Sequence, residues 1–284
     1  MTETTPSPAA PPLRFEDAYV DLDRHRIALR TWEGSGPPLL LVHGISSAGS
    51  VWNPIIPALA AEFTPITIDQ RGHGASDKPE TGYLYDDYIQ DLDGVLAALQ
   101  IDRPLIVGHS LGGIVTLWWA ARYPDRAAAL VIEDSPLRSG EIFMPAFDEW
   151  LMLNAMPEED LRAHYAEEFP DWPPELVLER ARLMANTARN VFAELRADSL
   201  AHHGVDRIAE ITGIHSPTLL VHGDLDAGGM VDPEDARAFT QRLANARSVR
   251  IPGGGHTLHR ERSAEFLSAI LPFLREHAGA AMPS

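Results

Sequence analysis

Strand-like apolar runs alternate with helix-like segments along most of this chain, and that rhythm constrains the fold more than any other feature. "PPLLLVHG" (37–44) is a continuous apolar run, the pattern of a strand covered on both faces. "TPITID" (64–69), "PLIVGHS" (104–110), "AALVIEDS" (128–135), "PTLLVHGD" (217–224) and "RSVRIPG" (247–253) read as further strands. Between them, "DDYIQDLDGVLAALQ" places Ile89, Leu92, Leu96 and Leu99 at helical spacing. "SVWNPIIPALAAEF" reads as a helix begun or interrupted by its prolines. "PEDARAFTQRLA" and "RERSAEFLSAILPFLREH" read as the last helices, and "FEDAYVDL" with "RIALRTWE" as an opening hairpin. Such alternation implies an α/β protein with a mostly parallel sheet and helices on both faces.

The rhythm breaks from about Leu137 to Thr212, where no strand is evident and Phe143, Phe147, Trp150, Met152, Met156 and Trp172 lie in helix-like sequence. That reads as an insertion over the C-terminal edge of the sheet, where open α/β folds bind ligands. Most of its aromatic and methionine residues are expected to form its own core, and a few to line a pocket roof. The expected division is a disordered tail at 1–12, a core at 13–136 and 213–279, and a helical cap at 137–212.

With 284 residues the chain is long enough for a substantial core. A net charge of −18 argues against nucleic acid or an anionic membrane as partner, but not against any particular substrate charge, since a cleft can differ from the surface average. The absence of cysteine excludes disulfides, thiolate catalysis and zinc–thiolate sites. "MTETTPSPAAPP" lacks the basic and apolar regions of a signal peptide, and no run approaches the ~20 apolar residues of a membrane span, so the expected location is the cytoplasm.

One serine sits where strand becomes helix. "GHSLG" (108–112) fits G-x-S-x-G, a sharp turn that pushes Ser110 Oγ into the cleft and leaves the Leu111 amide free to stabilise an oxyanion. The bland alternative is a helix-capping serine. A serine nucleophile needs a base, and a base needs a carboxylate to hold its tautomer. "GGGHTLH" (253–259) offers His256 after the last strand, and "LLVHGDLD" (219–226) offers Asp224 and Asp226.

Together these segments resemble the α/β-hydrolase superfamily, in its capped serine esterase and lactonase branch. "LLLVHGISSAGSVW" is similar to its oxyanion loop and "IDQRGHGASDKP" to its D-x-R-G-x-G-x-S loop. "GHSLGG", "HGDLD" and "GGGHTLHRE" are similar to its elbow, acid loop and histidine loop. The resemblance implies an eight-stranded sheet flanked by helices, with a helical cap insertion. It implies Ser110 as nucleophile, His256 as base, Asp226 as acid through the G-x-x-D spacing, and the amides of Ile45 and Leu111 as oxyanion hole. Ala227 stands where the family commonly has proline, and Asp134 in "VIEDSP" is the alternative acid, because some members of the family place the acid after the sixth strand. The implied activity is hydrolysis of a small carboxylic ester or lactone through an acyl-enzyme, without cofactor or metal. Carbon–carbon bond hydrolysis and perhydrolysis use the same triad, and a non-catalytic receptor on a hydrolase scaffold is the alternative of another class.

Other polar residues have simpler readings. His109 and His259 are expected to pack or hydrogen-bond, His43 to order the oxyanion loop, and Asp69 and Arg71 to make loop contacts around Gly72 and Gly74. "DLDAGGMVDPED" imitates a calcium loop, but Gly228 offers no side-chain oxygen at its fifth position. His256 and His259 lack the intervening glutamate of a zinc hydrolase motif.

Overall fold

The structure, a computed structural model, describes residues 13–137, 144–202 and 207–281. The tail at 1–12, Phe143 and parts of both ends of the expected cap lie outside the described residues.

The opening hairpin is β1 (Phe15–Asp21) and β2 (Arg26–Trp32), antiparallel in the register Phe15↔Trp32 to Asp21↔Arg26. Then come β3 (Pro38–Val42), α1 (Ile56–Ala60), β4 (Thr64–Ile68), α2 (Tyr85–Ala98), β5 (Leu105–His109), α3 (Leu111–Arg122) and β6 (Ala129–Glu133). Helices α4 (Met144–Leu153), α5 (Glu158–Glu168), α6 (Pro174–Asn186), α7 (Arg189–Ala201) and α8 (Arg207–Glu210) follow, with no strand among the described residues of this stretch. The chain closes with β7 (Thr218–His222), α9 (Pro233–Arg242), β8 (Ala246–Arg250), α10 (Leu258–Glu261) and α11 (Ser263–His277).

The sheet has eight strands in the order β1-β2-β4-β3-β5-β6-β7-β8. From β4 to β8 all neighbours are parallel, and β2 joins β4 antiparallel. The parallel strands therefore release their following loops at one edge. The loops after β3, β5, β6, β7 and β8 are those that carry Ile45, Ser110, Asp134, Asp226 and His256.

Alternation along the central strands divides the core. Leu40, Val42, Ile106, Ile132 and Leu220 pack on one face with Ile89, Leu92 and Leu96 of α2 and Phe239 of α9. Leu39, Leu41, Val107, Val131 and Val221 pack on the other with Phe266, Ile270 and Phe273 of α11. Strands β5, β6 and β7 are buried at every position, as two-sided coverage requires. The outermost strands β1 and β8 are largely exposed and carry charged side chains, which discourages edge-to-edge pairing.

Two helix expectations need refinement. "SVWNPIIPALAAEF" yields a one-turn 3₁₀ segment at Gly49–Trp52 and the short α1, since Pro54 and Pro57 withhold two amide donors. The last helix is split at Arg262 into α10 and α11, and α11 continues through Pro272. The stretch between β6 and β7 has a core of its own, in which Leu153, Leu161, Val177, Met184 and Phe192 pack together. Phe147 instead joins the core of the sheet, and Met152 is exposed.

Candidate active site

Ser110 stands between β5 and α3 with φ 52° and ψ −117°, a conformation that a non-glycine residue adopts only when its surroundings enforce it. The enforcement is visible in the two flanking glycines. A Cβ on Gly108 would sit 2.6 Å from the Gly112 carbonyl oxygen, and one on Gly112 would sit 2.3 Å from that of Val42. The Ser110 amide donates to the Glu133 carbonyl at 3.1 Å, anchoring the turn to β6. Ser110 forms no side-chain cap, and Leu111 is the first residue of α3, where an amide has no intrahelical acceptor. Of the four non-glycine residues with positive φ among the described residues, three belong to this edge: Ser46, Ser110 and Asp134.

The structure brings His256 to Asp134 rather than to Asp226. Asp134 Oδ2 lies 2.7 Å from His256 Nδ1. The same carboxylate accepts from the amides of Met230 at 2.8 Å and Gly223 at 3.3 Å, and Asp134 is fully buried. Asp226, the acid expected from the loop spacing, is exposed in a single 3₁₀ turn at Leu225–Ala227. This placement has a local cause. Asp224 is held down by Arg250 and by the Gly253 amide, and the Gly228–Gly229 turn carries the intervening residues outward. The Arg250 contact keeps the Asp224 carboxyl low, at about 2. The loop after β7 instead supplies the Met230 amide to Asp134.

Several side chains that the sequence left in background roles surround His256. The ring nitrogen Nε2 of His109 lies 2.9 Å from the His256 carbonyl, and the two rings pack with centroids 4.6 Å apart. Glu261 accepts from the amides on either side of His256, Gly255 at 2.8 Å and Thr257 at 3.1 Å. Below them, the His259 amide and Nδ1 each lie 2.8 Å from Glu133, with both residues buried. Burial pushes the Glu133 carboxyl up to about 7 and His259 down to about 3. Neither Glu133 nor Glu261 stands out in the sequence; the one signal is the position of Glu133, directly before Asp134 at the end of a buried strand.

The loop after β3 is held by two neutral imidazoles. The Gln70 amide donates to His43 Nε2 at 3.0 Å, so His43 Nδ1 carries the proton and donates to the Gly44 carbonyl at 2.6 Å. The Ser46 amide donates to His73 Nε2 at 3.2 Å, and His73 Nδ1 donates to the Arg71 carbonyl at 2.9 Å. Burial lowers His43 to about 4 and His73 to about 3, consistent with both staying neutral. Asp69 and Arg71 make loop contacts, Asp69 to the Gly49 and Ala75 amides and Arg71 to Asp91.

A cavity of about 420 Å³ opens over this edge. Ser110, His109, His256 and Ile45 line its floor, and Trp150 of α4, Trp172, and Leu176, Arg180 and Leu183 of α6 line the other side. No helix among the described residues is long and apolar enough to cross a membrane.

Comparison with known proteins agrees with this architecture. A family model described as alpha/beta hydrolase fold matches residues 37–195. A 2-(acetamidomethylene)succinate hydrolase of Mesorhizobium japonicum is 31% identical over 282 residues, covering 92% of this chain and 95% of the relative. The crystal structure of an E-2-(acetamidomethylene)succinate hydrolase superposes with a TM-score of 0.80 at 27% identity, over 92% of this chain and all of that one. An N-acyl homoserine lactonase shares the fold at 22% identity, with a TM-score of 0.77 over 93% of this chain and 98% of that one. A strained serine at the strand-to-helix turn, an eight-stranded sheet of this order and these matches lead to one statement: the chain belongs to the α/β-hydrolase family.

Proposed function

We propose that the protein is a serine hydrolase acting on a small carboxylic ester, lactone or comparable acyl compound through an acyl-enzyme, with Ser110 as nucleophile, His256 as base and Asp134 as its carboxylate. The observation that carries the reading is the 2.7 Å contact of Asp134 with His256 Nδ1 at the cavity that Ser110 lines. With Nδ1–H donating to Asp134, His256 Nε2 is the nitrogen left to accept the serine proton.

In this mechanism the substrate carbonyl oxygen faces the amides of Ile45 and Leu111. Ser110 Oγ attacks the carbonyl carbon while His256 takes its proton. The imidazolium, stabilised by Asp134, returns that proton to the departing group. A water deprotonated by His256 then attacks the acyl-enzyme, and Ser110 leaves with its proton restored. Each oxyanion amide contributes about 3–4 kcal/mol to the transition state. The helices between β6 and β7 serve as a cap whose inner face bounds the substrate.

A second reading, amide cleavage, has support from the Mesorhizobium relative, whose named substrate carries an acetamide. The steps are the same, with nitrogen as the departing atom. The deciding experiment is steady-state hydrolysis of p-nitrophenyl acetate, butyrate and octanoate, beside a panel of lactones and N-acetyl enamides, for wild type and Ser110→Ala. Turnover of at least one class that vanishes with the substitution is expected. Folded protein without turnover on any of them, or turnover that survives Ser110→Ala, overturns the proposal.

A further inference from the structure

Among the described residues lining the cavity, the charged side chains are Arg180, Arg260 and Glu261, besides the histidines. Arg260 is paired with Glu179 at 2.6 Å, and Glu261 is engaged by the Gly255 and Thr257 amides and the Thr257 hydroxyl. His256 faces Asp134 and His259 faces Glu133. Arg180 differs: no described carboxylate lies within 4 Å of its guanidinium, although the chain as a whole carries −18.

Arg180 is nevertheless fixed in place. Its Nη1 donates to the Ser46 carbonyl at 3.1 Å, and its guanidinium lies 4.9 Å from the centre of the Tyr165 ring. The carbonyl belongs to the residue directly after Ile45, so the cation sits one residue from the expected oxyanion donor. One hydrogen bond and one ring contact leave the remaining N–H donors of the fork without a described acceptor. Burial pulls the guanidinium down from its ordinary value, yet an arginine in such a setting remains charged. A half-buried cation held by these two contacts, with open donors facing the cavity, is a site for a planar anion that can accept two parallel hydrogen bonds.

We infer that the substrate carries a carboxylate close to its scissile acyl group, and that Arg180 binds it. This rests on the reading of the cavity as the reaction site. The size of the cavity and the place of Arg180 beside the oxyanion loop favour a short acidic acyl compound, such as the monoester or monoamide of a small dicarboxylic acid, over a long neutral ester. The bound carboxylate also fixes which face of the carbonyl meets Ser110, so Arg180 is a specificity-determining residue that turns binding into orientation.

The test compares p-nitrophenyl pentanoate with mono-p-nitrophenyl glutarate, which match in chain length and differ in the terminal carboxylate. Wild type is expected to favour the acidic ester in kcat/KM by about tenfold or more, the range of a charged hydrogen-bonded contact. Arg180→Gln should bring that ratio to about one, with both a raised KM and a lowered kcat for the acidic ester, and Arg180→Lys should restore part of it, because the charge remains while the fork is lost. A merely structural brace for the Ser46 loop would alter both esters alike and leave the ratio intact. A second measurement needs no turnover: calorimetric binding of glutarate and succinate to Ser110→Ala, with and without Arg180→Gln. Binding that weakens about tenfold on loss of Arg180 supports the inference even if neither ester is hydrolysed, an outcome that would count against the hydrolase reading alone. An unchanged ratio in Arg180→Gln, or dicarboxylate binding indifferent to Arg180, overturns it.

Discussion

The floor and the roof of the cavity are built by opposite rules. The floor is the C-terminal edge of the sheet, where nearly every polar group has a fixed partner: Asp134 has three donors, His43 and His73 are locked as single tautomers, and Glu261 brackets His256. The roof is mostly apolar, with Trp150, Trp172, Leu176 and Leu183, and holds Arg180, a cation with no described carboxylate within 4 Å. Buried polar networks of the first kind cost a great deal to disturb, while apolar walls tolerate exchange. On the proposed function, the difference teaches that chemistry and selectivity are carried by separable parts of the chain, the first by the loops after β3, β5, β6, β7 and β8, the second by the helices between β6 and β7.

The comparison is put under most strain by Ser110→Ala, expected to lower kcat by roughly 10⁵–10⁶-fold on every substrate hydrolysed, with a circular dichroism spectrum like wild type. Next, Asp134→Asn should cost about 10⁴-fold in kcat by favouring the wrong imidazole tautomer, whereas Asp226→Asn should leave turnover near wild type. Equal losses in both variants would erase the distinction between a buried, amide-bound carboxylate and an exposed one. Glu261→Gln removes charge from the bracket around His256, and about a tenfold fall in kcat is expected with little change in KM. On the roof, Trp172→Ala should move the acyl-length optimum toward longer chains by about 1 kcal/mol per added methylene or less, read from kcat/KM across a homologous ester series.

Acid should act on the floor first. His43, His73, His109 and His259 are all lowered by burial, to about 4, 3, 3 and 3, from an ordinary 6.5. Their folded pKa values lie below the unfolded one, so the stability they contribute is present above pH 6.5 and is lost as the pH falls toward 4. Each histidine contributes up to ~1.4 kcal/mol per pH unit in that window. Glu133, raised to about 7, has the opposite sign: its contribution is complete below about 4.5 and is lost as the pH rises through 7. Four groups outweigh one, and Tm should fall between pH 6.5 and 4 in thermal melts. A flat Tm across that range would contradict the buried neutral histidines.

The sequence carried the sheet, the elbow and the histidine loop because each depends on local pattern: two-sided strands, glycines around one strained residue, a glycine run before His256. The acid was less legible. Spacing within "HGDLD" favoured Asp226, and only the path of the loop, with Arg250 drawing Asp224 aside and two glycines turning the chain outward, excludes it from His256. Glu261 lies five residues from His256, and its function depends on a turn of helix folding back on the loop. Arg180 was invisible for another reason. In sequence it is one arginine in an amphipathic helix, and its lack of a carboxylate within 4 Å among the described residues is a property of everything around it.

Glu179, its neighbour in α6, gives the Arg260 pair a meaning beyond anchoring. Arg260 lines the same cavity, and its charge is masked by that single carboxylate. Replacing Glu179 by glutamine would leave Arg260, like Arg180, with no described carboxylate within 4 Å, in walls of nearly unchanged shape. With Arg180 in its proposed role, the valence of the anion accepted here would be set by one residue whose side chain need never touch the ligand, and a change from one carboxylate to two would lie one substitution away.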